Sequence, residues 1–178
     1  MFDSRFYTTL ESPLGEIVLT SSGKEITGLY TPGHSFYVEV KKRSRSSKPF
    51  RKAVKQLNEY FSGKRSHFDL PLASEGTAFQ KRVWKALGNI RCGETKSYGE
   101  IAKSLKSPKS SRAVGSANSK NPLCIFVPCH RVIGADGKIS GYAGGVKAKK
   151  WLLEHEAKFL PQKLDLKCQI DRLKFKYF

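Results

Sequence analysis

The first half of the chain alternates short apolar runs with turn residues, a pattern typical of β-strands. Residues 16–20 and 26–30 are mostly apolar or β-branched, and they flank the turn sequence Ser21-Ser22-Gly23-Lys24. Two such runs around a glycine-containing turn predict a β-hairpin. Residues 35–40 are a third candidate strand, and residues 68–70 are a shorter one.

Between these candidate strands, apolar side chains recur at helical spacing. Phe50, Val54, Leu57 and Phe61 fall on one helical face, and the helix should end at Gly63. This part of the chain therefore predicts a small unit of strands and one helix, and it offers no candidate chemistry.

The second half begins with helix signals. Thr77 stands three residues before Gln80, and Ser97 stands three residues before Glu100. Ser or Thr followed at this spacing by Gln or Glu is a capping box, so a helix should begin at each position. The second helix should end before Pro108, which breaks the chain.

Further elements complete this half. A third helix is expected over residues 110–118, and two short helices joined by a tight connection indicate a helix-turn-helix. The apolar run 123–127 predicts a strand, residues 134–145 predict a glycine-rich loop, and residues 146–159 predict a final helix.

Charge narrows the class of function. The 178 residues include 33 Lys and Arg against 15 Asp and Glu, a formal net charge of +18. This imbalance favours an anionic partner such as nucleic acid. From Ile101 to Ala135 there is no acidic residue, so positive charge is concentrated around the helix pair. No apolar stretch is long enough to span a membrane, and we expect no membrane partner.

A second basic run, Lys41-Lys42-Arg43-Ser44-Arg45, has three open interpretations. It is a nuclear-import signal, a second phosphate-binding patch or a solvated loop. We expect a cytoplasmic, nucleoid-associated protein in a bacterium and a nuclear protein in a eukaryote.

These patterns predict an α+β fold with two domains. Residues 1–74 should form a small strand-and-helix domain, joined by a linker at 72–76. Residues 75–160 should form a helical, winged-helix-like domain with the DNA-binding elements and the active site. Residues 161–178 are a basic C-terminal tail.

The cysteines differ in their immediate neighbours. Cys129 lies beside His130 and Arg131, and cationic neighbours lower the pKa of a thiol, so Cys129 is the candidate nucleophile. Cys124 lies in the apolar run and is interpreted as a small buried hydrophobe. Cys92 lies in a turn-like stretch. No Cys-x-x-Cys pair or histidine spacing suggests a zinc site, and we expect neither metal nor cofactor.

Three motifs in order resemble one known family. They are Pro128-Cys129-His130-Arg131-Val132, Gly141-Tyr142-Ala143-Gly144-Gly145 and Trp151-Leu152-Leu153-Glu154-His155-Glu156. Together they resemble the O6-alkylguanine-DNA alkyltransferases. The likeness extends upstream through residues 97–102 and 112–115 and covers roughly residues 75–160 closely.

The resemblance implies a DNA repair protein that transfers an alkyl group from O6 of guanine to Cys129, once per molecule. Glu156 would orient His130, Asn121 would brace the active-site turn, and Tyr98 would donate a proton to the departing base. Because adjacent side chains of an extended segment diverge, we expect a bridging water between His130 and Cys129.

The resemblance also implies a substrate pocket and a DNA-binding helix. Val132, Tyr142 and Ala143 would line the pocket, and Ala143 stands where the family often has a serine. The third helix would enter the minor groove, where Arg112 would replace the flipped nucleotide. Its expected DNA contacts are Ser111, Arg112, Ala113 and Gly115, with Tyr98 beside them.

The residues alone leave other interpretations open. Glu156 ranks no higher than Glu154 as a surface acid, Asn121 is an ordinary turn residue before a proline, and Tyr98 is a half-buried aromatic. The small residues of the third helix also suit tight helix packing.

Three rival functions compete with alkyl transfer. A winged-helix regulator would explain the charge, a cysteine hydrolase would use the thiol, and a non-catalytic sensor of alkylated DNA would lack the cysteine. We expect a monomer whose partner is double-stranded DNA carrying O6-alkylguanine, with O4-alkylthymine and bulkier adducts left open.

The charge pattern predicts that affinity for DNA falls as salt is added, because each phosphate contact releases condensed counterions. Fluorescence anisotropy of a labelled duplex over a salt series would measure the slope. A flat response would contradict a phosphate-binding surface.

Overall fold

The computed structural model describes residues 5–34, 43–139 and 141–158. Strands come first and helices dominate afterwards, which confirms the predicted α+β fold. The strands are β1 (Phe6–Leu10), β2 (Ile17–Ser21), β3 (Ile26–Tyr30), β4 (Ser44–Arg45), β5 (Lys96–Ser97) and β6 (Val132–Ile133). The helices are α1 (Arg51–Phe61), α2 (Ala78–Gly88), α3 (Tyr98–Ser104), α4 (Ser111–Ser119) and α5 (Gly145–Ala157).

The N-terminal strands form a mixed sheet in the order β3-β2-β1-β4. The predicted hairpin is confirmed, since β2 pairs antiparallel with β3 and also with β1. The short β4 runs parallel to β1. The candidate strand at residues 35–40 lies outside the described residues.

Two predicted strands are wrong. Residues 68–70 form no strand; the chain pairs with the sheet slightly later, where Ile26 bridges Leu72. Residues 123–127 form a turn, because Val127 N–H donates to Leu123 O at 2.8 Å and Ile125 adopts a left-handed φ of 71°. Apolar composition alone does not distinguish a buried turn from a buried strand.

Both predicted capping boxes are present. The Thr77 and Ser97 hydroxyls accept from the N–H groups of Gln80 and Glu100, whose side chains accept in return. Helix α3 ends with Lys106 at φ 57°, where Ser107 N–H donates to Ala102 O at 3.0 Å. This helix-ending turn and the 3₁₀ turn Pro108–Ser110 connect α3 to α4, as expected of a helix-turn-helix.

Helix α2 fixes the helix pair from behind. Arg82 donates to Leu105 O at 2.7 Å, at the end of α3, and the Trp84 indole donates to Ala117 O at 2.9 Å, on α4. Trp84 and Ala117 are both buried. The outer face of α4 is therefore presented on a rigid support.

One hydrophobic core joins the sheet to the helices. It runs without a break from Ile17 and Leu29 to Val83, Val114 and Leu152. Leu29 N–H donates to Pro122 O at 2.8 Å, so β3 is tied to the segment that leads to Cys129. Among the described helices, none is both long and apolar enough to cross a membrane.

Candidate active site

Asn121 shapes the turn that carries the thiol. Its side-chain amide donates to Val127 O at 2.8 Å, and its side-chain oxygen accepts from Leu123 N–H at 3.0 Å. The side chain therefore closes residues 121–127 into one loop. Asn121 is buried, so these bonds are shielded from water. The next residues, Cys129–Arg131, form a single 3₁₀ turn, so the extended segment expected here is wrong.

Cys129 is buried at the start of that turn, with 1% of its surface exposed. Its Sγ lies 3.9 Å from the Sγ of Cys124. The thiol of Cys124 lowers the pKa of Cys129, Asn121 and the charge of Lys149 add to this effect, and burial opposes it. The thiolate is thus favoured by neighbours from several segments.

The predicted cause of this activation was partly wrong. Arg131 points away from Cys129: it donates through Nε and Nη2 to Glu156, at 2.8 Å each, and through Nη1 to Ile90 O. The cation that acts on the thiol is Lys149. Cys124 is buried as predicted, but its sulfur contacts the nucleophile.

The carboxylate of Glu156 is the hub of a buried polar cluster. Its Oε1 accepts from Tyr60 Oη at 2.8 Å and pairs with His130 Nε2 at 2.9 Å. Its Oε2 accepts from Arg131 Nε at 2.8 Å and from Gly93 N–H at 3.3 Å. Glu156 and His130 are fully buried, so this is no ordinary surface acid.

The cluster sets the charge state of both partners. Burial opposes ionisation of Glu156, but His130 and Arg131 outweigh it and hold the pKa of the carboxyl well below its ordinary value. Burial lowers the pKa of His130 although Glu156 raises it. His130 is therefore neutral at rest. Its Nδ1 accepts no hydrogen bond within the described part of the chain.

Lys149 lies two turns before Glu156 on α5 and faces the same side. Its buried ammonium donates to Val132 O at 2.6 Å and to Gly141 O at 3.3 Å. Burial lowers the pKa of Lys149 to about 8, while Cys129 raises it. The group remains mostly charged at neutral pH and joins α5 to the segment after the thiol.

The glycine-rich segment before α5 packs against the N-terminal sheet. A Cβ on Gly144 would lie 2.0 Å from Thr31 Oγ1, so glycine is required there. Tyr142 and Ala143 are half-buried against the core. Burial and the nearby thiols of Cys124 and Cys129 raise the pKa of Tyr142 well above its ordinary value. This segment closes one side of the thiol site.

The predicted DNA-contact residues lie on α4, next to Tyr98. Arg112 and Ala113 are exposed, whereas Ser111 and Gly115 are half-buried. A Cβ on Gly115 would lie 3.8 Å from the Tyr98 ring, and Lys149 Nζ lies 5.9 Å from the centroid of that ring. Tyr98 therefore connects the outer helix to the interior of the site.

Sequence reasoning missed Tyr60, Lys149 and the contact between the sulfur atoms of Cys124 and Cys129. Tyr60 lies three residues after Leu57 on the buried face of α1, so its burial was readable but its bond to Glu156 was not. Lys149 appeared as one of several basic residues in a basic helix. A lysine that faces inward at helical spacing from the predicted Glu156 was its only signal.

A hydrolase would need a histidine on another element in contact with the thiol. His155, the nearest substitute in sequence, pairs through Nε2 with Tyr60 O at 2.8 Å. It stacks on Trp151 at 4.7 Å between ring centroids. His155 therefore connects α5 to α1. Within the described ranges, no group of His, Cys, Asp or Glu side chains is arranged to hold a metal ion.

An activated thiol behind an exposed helix pair defines a cysteine-dependent protein that acts on DNA. Residues 6–74 match the family model "6-O-methylguanine DNA methyltransferase, ribonuclease-like domain", and residues 78–158 match the DNA binding domain of the same family. The chain therefore belongs to the 6-O-methylguanine DNA methyltransferase family.

Individual relatives support this assignment. A methylated-DNA–protein-cysteine methyltransferase of Methanosarcina barkeri is 48% identical over 158 residues, covering 85% of this chain and 96% of that protein. One from Mycobacterium tuberculosis is 46% identical over 160 residues, covering 90% and 97%. A crystal structure of Mycobacterium tuberculosis OGT in complex with DNA superposes with a TM-score of 0.82 at 46% identity, covering 90% of this chain and 98% of that one.

The buried cluster predicts a large difference between two neighbouring carboxylates of α5. Glu156→Gln should lower the free energy of unfolding by about 3–5 kcal/mol near neutral pH, because it leaves the buried Arg131 without its counter-charge. Glu154→Gln is the matched control, because Glu154 is exposed and its ion pair with Lys150 is long, at 3.8 Å, and open to water. Urea denaturation measures both.

The stability contributed by ionised Glu156 should depend on pH in a defined direction. The pKa of Glu156 lies below its ordinary value of 4.5, so its stabilisation is complete above that pH and is lost as the pH falls further. Wild type and Glu156→Gln should therefore converge in acid. Equal, small losses in the two variants at neutral pH would contradict a structural role for the cluster.

Proposed function

We propose that this protein repairs duplex DNA by moving the alkyl group from O6 of an alkylated guanine to Sγ of its own Cys129. The observation that carries the proposal is the buried Cys129, with its lowered pKa, directly behind the helix pair of a family DNA-binding domain. The thiolate is the nucleophilic form of cysteine, and an alkyl carbon on bound DNA is the electrophile that it would attack.

Binding to the duplex would depend on two features, the positive charge of the surface and the shape of α4. Basic residues between Ile101 and Ala135, the segment without acidic residues, contact phosphates. These contacts fix the position of the protein on the duplex without reading the base sequence. The small side chains on the exposed face of α4 allow its backbone to approach the floor of the minor groove closely. Ser111, Ala113 and Gly115 belong to this contact surface, and Arg112 projects beyond them.

The target atom lies inside the base stack, so the nucleotide must be extruded. Arg112 fills the space that the base leaves, which offsets part of the unstacking cost. The flipped guanine enters between Tyr142, Ala143 and Val132. Val132 O accepts from the exocyclic amine of the base, which is compatible with its bond to Lys149 because a carbonyl oxygen has two lone pairs.

Transfer is an in-line displacement that needs a thiolate. The proton of Cys129 passes through a bridging water to Nδ1 of the neutral His130, and the carboxylate of Glu156 stabilises the imidazolium that forms. Sγ then bonds to the alkyl carbon as the bond from that carbon to O6 breaks. The electron pair moves into the guanine, and Tyr98 supplies the proton that neutralises a ring nitrogen.

The product is a thioether on Cys129, and water does not hydrolyse a thioether back to the thiol. Each molecule therefore acts once. Every group that the reaction uses lies in one chain, which supports action as a monomer. The same displacement applies to O4-alkylthymine if that base fits the pocket. The protein would act in the compartment that holds the DNA, which is the cytoplasm of a bacterium or the nucleus of a eukaryote.

Removing the thiol should separate binding from chemistry. Cys129→Ala should keep its affinity for a duplex with one O6-methylguanine, because Cys129 is buried behind α4, and should accept no methyl group. Intact-protein mass measures transfer and a mobility-shift titration measures binding. Transfer retained by this variant would disprove the proposal.

Removing the projecting arginine should affect flipping rather than binding alone. Arg112→Ala should slow transfer from duplex DNA by at least about tenfold, since unstacking costs a few kcal/mol, but should leave transfer from the free base nearly unchanged. Single-turnover rates at saturating DNA measure this. Lys109→Ala, which removes an exposed cation just before α4, is the control: it should weaken binding to duplex DNA but should not change the ratio of the transfer rates on duplex and free base. If Arg112→Ala lost equal rate on duplex and on free base, the flipping role would be contradicted.

A further inference from the structure

The thiol of Cys124 lies against the reactive sulfur. The two Sγ atoms are 3.9 Å apart, and both residues are buried, Cys124 fully and Cys129 to within 1%. The Cys124 sulfur also lies 3.6 Å from Asn121 O, to which it donates. The loop closed by Asn121 holds both cysteines, so their separation is set by the fold of that loop.

We propose that Cys124 is a second catalytic cysteine, whose S–H group donates a hydrogen bond to the thiolate of Cys129 and holds it ready for attack. The inference deepens the proposed function and rests on it. A thiol is a weak donor in water, but inside a protein a hydrogen bond to an ionised acceptor is strengthened.

The ionisation state fixes the direction of the bond. While Cys129 is protonated, it donates to Cys124, and Cys124 donates to Asn121 O. Once Cys129 loses its proton, its sulfur can only accept. The S–H of Cys124 then turns from Asn121 O to the thiolate, a rotation about one bond that moves no backbone atom.

Two of the other charged or titratable groups near the thiolate, Lys149 and His130, have hydrogen-bond partners of their own. From α5, Lys149 gives its hydrogen bonds to Val132 O and Gly141 O and acts on the thiolate by charge. From the next position in the turn, His130 pairs through Nε2 with Glu156. Tyr142, from the glycine-rich segment, lies near both thiols, and its buried hydroxyl has no hydrogen-bond partner among the described residues. Tyr98, from α3, lies near Lys149.

The two cysteines differ in which one ionises. Cys129 has Asn121 and the charge of Lys149 in its favour, which helps to lower its pKa. The bond to Cys129 and complete burial raise the pKa of Cys124 well above its ordinary value. Cys124 thus keeps its proton at neutral pH and remains a donor.

A donor to the nucleophile has two opposed effects on rate. It increases the thiolate fraction below the thiol pKa, but it makes each thiolate less nucleophilic, with a Brønsted slope of about 0.4–0.5. The gain exceeds the loss at neutral pH, and only the loss remains at high pH. A structural role of Cys124 in packing would not produce this crossover.

The test compares Cys124→Ala and Cys124→Ser with wild type in the full-length protein. The rate of Cys129 alkylation by iodoacetamide is followed against pH by peptide mass, and transfer from an O6-methylguanine duplex is followed in parallel. Thermal unfolding checks that each variant is folded.

Cys124→Ala should raise the apparent pKa of Cys129 by about 0.5–1 unit. The thiolate fraction then falls about three- to tenfold, but each thiolate becomes more nucleophilic, so both reactions should slow by a net factor of about two to four at neutral pH. Its rates should reach or exceed those of wild type at high pH. Cys124→Ser, which restores a donor, should return most of the neutral-pH rate.

The outcomes separate this inference from the proposed function. A folded Cys124→Ala protein with the pH profile of wild type would overturn the role of Cys124. So would a Cys124→Ser profile identical to that of Cys124→Ala. A wild-type protein that reacts with iodoacetamide but takes no methyl from the duplex would overturn the proposed function, whatever the profile of Cys124→Ala.

Discussion

The site depends on one buried carboxylate. Glu156 is fully buried, and it is stable there only because hydroxyl, imidazole, guanidinium and backbone N–H groups converge on it. These donors come from α1, from the segment before β5 and from the turn that carries Cys129. An unpaired buried charge is costly, so the cluster is stable only when all these segments are in place. Ionisation of one side chain thereby enforces the tertiary arrangement.

This constraint explains how the N-terminal part of the chain, which supplies no candidate nucleophile, still contributes to the site. Tyr60 of α1 donates to the same carboxylate oxygen that pairs with His130. Its backbone carbonyl also pairs with His155 on α5, so α1 and α5 are joined at adjacent points. Helix α5 in turn presents Lys149 and Glu156 on one face. One helix therefore adjusts the thiol by charge and the histidine by hydrogen bonding.

The sequence predicted the features that depend on neighbouring residues. The hairpin and both capping boxes were predicted correctly, because a turn or a helix start is specified within a few positions. For the same reason, the motif around Cys129 singled out the buried thiol whose pKa the fold lowers. The strand at 123–127 was wrong because its conformation depends on the side chain of Asn121 and on Ile125 at positive φ. The partners of Cys129 were only partly predicted: Arg131, adjacent in sequence, turns to Glu156, whereas Lys149 and Cys124 reach the sulfur through the fold.

The most direct test of the account is a titration of the protein with a duplex that carries an isotopically labelled methyl group on O6 of guanine. The account predicts that bound label rises with added DNA, stops at one methyl per protein molecule, and lies entirely on the peptide that contains Cys129. Label that continues to be released beyond this plateau, or that is found on another residue of a folded protein, would contradict it.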